Sequence, residues 1–404
     1  MKKKIILISI ALLLISAAFL LRILFPGNAF FWPLIYLLPG ISALVFGLIW
    51  QKKRFILPLS QIVFSICLAF SLAEIYFQKA LNSTELLTYK ANMDDHIIVD
   101  RNGKKLPLFS VNTLGEYRDS LTGIKPNMHG IDRRVRVFYN GSTKIVFEAE
   151  YTINFLGFRN VPFHTNTPLE PPLIFFGDSF TFGDGVNDSE VYVNLIAEKL
   201  KGQRNVYNFG KSGGSPAEML FFLQNNVLEK AEVKPEPPGQ AYYLIINDHR
   251  YRVLGNRTRV QAKTLTKRQK AEILFAYWTR MRLFYRSALF EAICSRFHRN
   301  LYITYLKEAE ELLQKKYGIS LTVIVYPDCM PDLIGELKQA GFRLLYLKDV
   351  MPGYIGYHTR KVDLRYEIPY DGHPTPNTHK IIADYLLKHI QQNVESNEIF
   401  NKIQ

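Results

Sequence analysis

The chain has 404 residues, of which 48% are hydrophobic and 21% are charged, and its formal net charge is +14. These proportions exclude a wholly disordered or collagen-like chain, and 28 Phe with 23 Tyr predict a substantial packed core. Three cysteines are too few for a disulfide scaffold, no Cys/His cluster has zinc-site spacing, and a bridge between Cys294 and Cys329 stays open.

Residues 1–80 have the composition of a membrane anchor. Three apolar segments, Ile5–Phe25, Phe30–Trp50 and Phe55–Phe77, each approach the roughly 20 residues that a helix needs to cross a bilayer. A cleaved signal peptide is the alternative for the first segment, because Lys2–Lys4 followed by an apolar run fits one. Since two further apolar segments follow, we expect three transmembrane helices.

Basic residues set the expected orientation of this anchor. Residues 1–54 hold seven Lys or Arg and no acidic residue. Lys2–Lys4 and Lys52–Arg54 flank opposite ends of a helical hairpin, and the positive-inside rule places both in the cytoplasm. The third helix then leads outward, so the chain after about Ser83 is expected to be extracytoplasmic, either periplasmic or extracellular, in a multi-pass protein of the cell membrane.

The remainder is predicted to divide near residue 165. Residues 81–165 are polar, and alternating stretches such as Val135–Tyr139 and Lys144–Glu148 are typical of short strands in a linker or accessory β segment. From Pro171 onward, short unbroken apolar runs alternate with helical stretches. The predicted strands are Leu173–Phe176, Val206–Phe209, Tyr242–Ile246, Leu321–Tyr326 and Arg343–Leu347. The predicted helices are Glu190–Leu200, Pro216–Lys230, Tyr302–Lys316, Pro331–Gln339 and Thr375–Gln391.

This alternation predicts that residues 166–404 form an α/β domain. Short apolar runs without polar interruption are typical of a parallel sheet that is covered by helices on both faces. The expected architecture is therefore a doubly wound parallel sheet, in which ligands bind outside the carboxyl ends of the strands.

Polar residues follow the ends of several predicted strands. Leu173–Phe176 runs directly into Gly177–Gly183, so Ser179 is expected at the carboxyl edge of the sheet, in a turn that leads into a helix. A serine there can present a nucleophilic hydroxyl together with a backbone N–H for an anion. The next strand leads to Asn208–Gly214, the third leads to Asn247, and a distant loop carries Asp371–His373.

These motifs resemble those of the SGNH, or GDSL, hydrolases over about Asn154 to His389. Gly177–Gly183 matches the nucleophile motif of that family in full. Two features depart from the family pattern. Ile245 stands where a glycine usually precedes the oxyanion asparagine, and the acid and base are two residues apart instead of three. That shorter spacing is similar to polysaccharide O-acetyltransferase relatives such as the alginate-modifying enzymes.

The resemblance implies a flavodoxin-like fold and acyl transfer through a covalent serine intermediate. Ser179 falls at the family's nucleophile, His373 at its base and Asp371 at its acid. The backbone N–H groups of Ser179 and Gly213 and the side chain of Asn247 fall at its oxyanion hole. The implied function is that of a membrane-anchored esterase-like enzyme. It would cleave or transfer a small acyl group, most plausibly acetyl, on an extracytoplasmic glycan or lipid, without a metal or organic cofactor.

Three alternatives stay open at this stage. Ser212 lies in a Gly-x-Ser-x-Gly stretch between a strand and a helix, the context of an α/β-hydrolase nucleophile. An O-acetyltransferase would use the same acyl-serine, but it would need a membrane partner protein that supplies acyl groups. A non-catalytic envelope protein that binds glycans is the third, although a binding module has no need of Ser179 together with His373 and Asp371.

Residues 249–300 are predicted to form a basic helical insertion. They hold 13 Lys or Arg against Glu272 and Glu291, with aromatic residues interleaved. The segment is either a scaffold with a solvated basic face or a lid that docks on anionic lipid or an acidic polymer. Nucleic acid is not an expected partner on the outer side of a membrane.

Overall fold

The computed structural model describes residues 14–18, 32–49, 56–82, 89–90, 97–99, 105–107, 121–122, 124, 126–138, 143–233, 239–253, 300–355 and 363–403. The described residues fall into two compact units, one before Thr88 and one from Thr88 onward. Most of the predicted basic insertion, residues 254–299, lies outside the described residues.

Two helices, α1 (Trp32–Ile49) and α2 (Ile56–Asn82), form the described part of the first unit together with residues 14–18. They pack on each other, and the Ser71 hydroxyl donates to the Pro33 carbonyl at 3.0 Å. A Cβ at Gly40 would come 2.6 Å from Cys67 Cβ, so glycine is what lets the two helices approach this closely.

One stretch among the described residues, Ile56–Ile75 of α2, is long and apolar enough to cross a membrane. The apolar part of α1, Pro33–Phe46, is shorter, and at 1.5 Å per residue it spans only about 20 Å of a core about 30 Å thick. The first expected segment lies outside the described residues apart from 14–18. The three-helix anchor and its orientation therefore stay predictions, and Ile56–Ile75 is the one candidate span among the described residues.

The second unit opens with an antiparallel sheet. Its five strands are β1 (Tyr89–Lys90), β2 (Ile97–Val99), β3 (Lys105–Pro107), β4 (Met128–Phe138) and β5 (Thr143–Ile153). β4 pairs with β1, β2 and β5. Of the predicted short strands, Lys144–Glu148 lies within β5 and Val135–Phe138 lies within β4, whereas Tyr139 lies outside the described residues.

A five-stranded parallel sheet follows, as the apolar runs predict. Its strands are β6 (Leu173–Gly177), β7 (Val206–Gly210), β8 (Gln240–Ile245), β9 (Ser320–Val325) and β10 (Arg343–Tyr346). The spatial order is β10-β9-β8-β6-β7, the flavodoxin-like order in which the second strand lies on one side of the first and the later strands lie on its other side. Every residue of β6 and β7 is buried, which accounts for their largely apolar character.

Each predicted helical stretch contains a helix, but one of them divides and the last continues to Ile403 instead of ending near Gln391. They are α3 (Ser179–Phe182), α4 (Tyr192–Lys199), α5 (Pro216–Gln224), α6 (Val227–Lys230), α7 (His249–Arg252), α8 (Leu301–Tyr317), α9 (Pro331–Gln339) and α10 (Pro376–Ile403). The helix predicted over Pro216–Lys230 divides because Asn226 has a left-handed backbone with φ of 56°, and the chain restarts there as α6.

One hydrophobic core joins the hairpin to the parallel sheet. Buried side chains of β5, such as Phe147 and Tyr151, belong to the same cluster as Phe175 of β6 and Leu386 of α10. The segment expected as an accessory therefore packs against the α/β domain, and the division near residue 165 stays a prediction. Cys329 is a buried free thiol whose Sγ donates to the Ile245 carbonyl at 3.4 Å, and its suggested partner Cys294 lies outside the described residues.

Candidate active site

Ser179 is the first residue of the short helix α3, directly after β6. The side chain of Asp178 caps this helix, since its Oδ1 accepts from the Phe180 N–H at 3.0 Å. Gly183 ends the helix with a left-handed φ of 88°, and its N–H donates to the Ser179 carbonyl at 2.8 Å. The motif Gly177–Gly183 is thus a tight strand–turn–helix unit that fixes the serine backbone at the carboxyl edge of the sheet.

A glycine of the neighbouring strand makes room for this helix. A Cβ at Gly210, the last residue of β7, would lie 2.4 Å from the backbone nitrogen of Phe182 and 2.7 Å from the Thr181 carbonyl carbon. Real Cβ atoms do not approach backbone so closely. The helix that carries Ser179 can therefore rest on β7 only because residue 210 is glycine.

Asp178 does more than cap the helix. Its Oδ2 accepts from Arg252 Nη1 at 2.6 Å and lies 3.3 Å from His249 Nε2, and the carboxylate is fully buried. Burial acts to raise the pKa of Asp178, but His249 and Arg252 oppose it and hold the pKa well below its usual range. The residue before the serine is therefore a buried anion tied to α7.

Asp371 and His373 form a hydrogen-bonded pair. Asp371 Oδ2 meets His373 Nδ1, the Asp371 side chain is fully buried, and the imidazole is 17% exposed. Backbone bonds hold the loop, because the Ile368 N–H donates to the His373 carbonyl at 2.7 Å and the Asp371 N–H donates to the Ile368 carbonyl at 3.1 Å. The other oxygen of Asp371 accepts from Arg134 Nη1 of β4.

His373 lies beside the nucleophile helix. Its ring centroid is 5.5 Å from that of Phe180, the residue after Ser179, in an edge-to-face contact. No hydrogen bond joins Ser179 Oγ to His373 among the described residues; His373 Nε2 instead lies 3.7 Å from Asp184 Oδ2. Catalytic hydrogen bonds often tighten only when substrate binds, so the Ser179–His373 contact of a triad stays a prediction.

The imidazole is suited to accept a proton. Burial lowers the pKa of His373 below its ordinary value of 6.5, the Asp184 carboxylate acts in the opposite direction, and the Arg134 guanidinium lowers it further. When the ring is neutral and Nδ1–H bonds to Asp371, Nε2 is the nitrogen that can accept a proton.

Ser212, the alternative nucleophile, contacts the same carboxylate. Its hydroxyl donates to Asp184 Oδ2 at 2.5 Å. This bond ties the loop after β7, which carries Gly213 with a left-handed φ of 68°, to the end of the nucleophile motif. Ser212 is therefore a loop anchor in the described geometry, since its hydroxyl proton is committed to a carboxylate.

Asn247 follows β8, the strand next to β6. Its backbone N–H donates to both oxygens of Asp328, at 3.3 and 3.1 Å. Burial raises the pKa of Asp328 well above its usual range. Ile245, which departs from the family pattern, is fully buried within the sheet. The three expected oxyanion donors thus belong to Ser179 and to the loops that follow the strands on either side of β6.

Several residues of this site carry no sequence signal that singles them out. Arg134, Asp184, Arg252 and Asp328 join it only through the fold. His249, which reads as an ordinary loop histidine, is buried beside Asp178. His379 is structural: it accepts from the Tyr192 N–H at 3.3 Å, and burial lowers its pKa to about 3.

Within the described part of the chain, no group of three or more His, Cys, Asp or Glu residues is arranged to hold a metal ion. The expectation that the chemistry needs no metal or organic cofactor stays a prediction.

Comparisons with known proteins give structural matches at low similarity. No family model and no curated protein matches the chain. A lipolytic protein of the G-D-S-L family from Desulfitobacterium hafniense is 13% identical, with 54% of this chain and 98% of that chain covered and a TM-score of 0.32. A psychrotrophic esterase from Pseudoalteromonas sp., solved with monoethylphosphonate as inhibitor, is 14% identical, with 56% and 100% covered and a TM-score of 0.34. An α/β hydrolase enzyme from the metagenome of Lake Arreo, Spain, is 14% identical, with 55% and 95% covered and a TM-score of 0.28.

Proposed function

We propose that the protein is a serine hydrolase of ester bonds, with Ser179 as nucleophile, His373 as base and Asp371 as the acid that orients the base. The observation that carries this proposal is the Asp371–His373 hydrogen bond, whose imidazole packs against Phe180 directly after Ser179. A nucleophile motif, a base and an orienting acid at one sheet edge are what acyl transfer requires.

The first half of the reaction forms an acyl-serine. Ser179 Oγ attacks the ester carbonyl carbon while His373 Nε2 takes the hydroxyl proton, and the imidazolium is stabilised by Asp371 through Nδ1–H. The tetrahedral oxyanion accepts hydrogen bonds from the N–H groups of Ser179 and Gly213 and from the Asn247 side chain. Collapse breaks the bond to the leaving alkoxide, which receives the proton from His373 as an alcohol.

The second half releases the acyl group. Water, or an acceptor hydroxyl in a transferase, attacks the acyl-serine while His373 again takes the proton and then returns it to Ser179. Hydrolysis and transfer differ only in that acceptor. The candidate span at Ile56–Ile75 supports a membrane-anchored enzyme. The proposed substrate is a small acyl ester, above all acetyl, on a glycan or lipid outside the cytoplasm.

The test compares two serine variants of the full chain purified in detergent. We expect Ser179→Ala to abolish p-nitrophenyl acetate hydrolysis and fluorophosphonate labelling, because the attacking oxygen is removed. Ser212→Ala should keep the labelling, since its hydroxyl serves only to tie a loop to Asp184. Loss of labelling in Ser212→Ala with retention in Ser179→Ala would assign the nucleophile to Ser212 instead.

The bound acyl group can then be identified. Incubation with envelope extract, acid quench and mass spectrometry of the Ser179 peptide should show a small acyl adduct that is absent from Ser179→Ala. A wild-type protein that neither labels nor hydrolyses esters would leave only the glycan-binding alternative.

A further inference from the structure

The acid of the proposed pair has a second partner from outside the α/β domain. Arg134 lies on β4 of the antiparallel hairpin, and its Nη1 donates to Asp371 Oδ1 while His373 Nδ1 meets Oδ2. The two oxygens of one carboxylate are thus divided between a fixed cation and the imidazole. We propose that Arg134 is a positioning residue for the Asp371–His373 pair, an inference that rests on the proposed function.

Burial makes a partner for Asp371 necessary. The carboxylate has no exposed surface, whereas Arg134 keeps 27% of its side chain exposed. A buried carboxylate oxygen without a hydrogen-bond partner is destabilised, and the side chain relieves this by turning toward water. Such a turn would misalign the acceptor that His373 Nδ1 needs. The guanidinium satisfies Oδ1 and leaves Oδ2 directed at the imidazole.

An irregularity in the β4–β5 pairing lies directly beside Arg134. The β4–β5 register shifts between Arg134 and Val135, so that Arg134 faces Phe147 but Val135 faces Ile145. Such irregularities bend a strand and redirect its side chains, and they are frequent next to active sites. Phe147, opposite Arg134, is buried in the core shared with the parallel sheet. This packing fixes the position of the hairpin relative to that sheet.

The neighbouring residue supplies a matched control. Arg133 points to the other face of the strand, where it pairs with Glu148, and both side chains of that pair are more than a third exposed. A charge lost at residue 133 changes the same strand and the same net charge but does not touch Asp371.

Several charged groups around His373 influence its pKa and therefore the pH dependence of the activity. Those that contribute from the elements packed around it are Asp371 on its own loop, Asp184 and Asp178 at the nucleophile helix, Arg252 of α7, Arg134 of β4, Glu367 and His379. Arg134 and Arg252 lower the pKa of His373, and Asp184 and Asp178 raise it. Removing the Arg134 charge alone therefore moves the pKa of His373 upward.

The experiment measures p-nitrophenyl acetate hydrolysis from pH 5 to 9 for full-length wild type, Arg134→Gln, Arg134→Lys and Arg133→Gln. We expect Arg134→Gln to lower kcat by about tenfold to a hundredfold with KM within about twofold, the scale of a misplaced catalytic group. Its acid limb should move to higher pH, because His373 must be neutral to act as base. Arg134→Lys, which keeps the charge, should restore the position of the limb and most of kcat.

The outcomes separate this inference from the proposed function. An inactive wild type would refute the function itself. An active wild type with unchanged kcat and acid limb in Arg134→Gln, or a lysine variant no better than glutamine, would refute the role of Arg134. Circular dichroism of each variant at every assay pH guards against misfolding, since a folded fraction that stays constant over the range lowers kcat equally at every pH and leaves the limb in place.

Discussion

At the scale of single residues, His373 carries the pH dependence of the proposed reaction. Burial and the Arg134 charge hold its pKa below the ordinary 6.5, although Asp184 opposes them. The ring is active when neutral, so activity is present above that lowered pKa and is lost as pH falls through it. We expect the acid limb of kcat/KM, which reports the free enzyme, to lie below pH 6.5.

This limb is measured in the wild type with a small neutral ester, so that substrate ionisation does not contribute. Circular dichroism over the same pH range separates titration of the base from acid unfolding. A limb at or above pH 6.5 would mean that His373 is solvated or faces more negative charge than the structure provides.

At the scale of elements, the contact between α3 and β7 holds the nucleophile in place. Gly210→Ala would force a methyl group into the backbone of Phe182 and Thr181. We expect this overpacking to lower the free energy of unfolding by about 1–3 kcal/mol and to reduce ester hydrolysis, because Ser179 lies on the displaced helix. Thermal unfolding followed by circular dichroism, together with kcat, checks both effects.

Gly335 is the matched control. It lies exposed inside α9, and a Cβ there would meet nothing within 4 Å. Gly335→Ala should raise the free energy of unfolding by about 1 kcal/mol, because alanine has the higher helix propensity, and leave kcat unchanged. Equal effects at the two glycines would show that close packing against β7 does not constrain the nucleophile helix.

At the scale of the whole second unit, one buried arginine connects the hairpin to the nucleophile loop. Arg159 has no exposed surface and donates to the carbonyls of Gly183 at 3.1 Å, Val186 at 2.8 Å and Glu150 at 2.9 Å. Its guanidinium also pairs with Asp188 and lies 3.9 Å from the centre of the Tyr151 ring. These bonds join β5, the segment after it and the chain that follows α3.

We expect Arg159→Met to destabilise the protein by about 3 kcal/mol or more, because three carbonyls and a carboxylate lose their donor at once. Denaturant unfolding measures this loss. Arg133→Met, at an exposed ion pair, should cost no more than about 1 kcal/mol. If the two variants were equally stable, the connection through Arg159 would be unimportant for holding the hairpin on the sheet.

The amino-acid sequence alone predicted the parallel strands, most of the helices and the motifs, because these depend on residues close together in the chain. Apolar runs indicated all five strands of the parallel sheet, and Gly177–Gly183 and Asp371–His373 marked the candidate site. The division of the helix at Asn226 was missed, since a left-handed asparagine has no periodic signature. The number of membrane spans and the basic insertion stay predictions.

Only the tertiary structure decided which distant groups meet. Arg134 reaches Asp371 across 237 positions, and Asp184 holds Ser212 across 28. No local pattern encodes such pairs, because a charged residue on a strand looks the same whether it faces water or a buried carboxylate. The hairpin belongs to the site because its buried face packs against the parallel sheet in one shared core. This packing places Arg134 beside Asp371, the partner of the base.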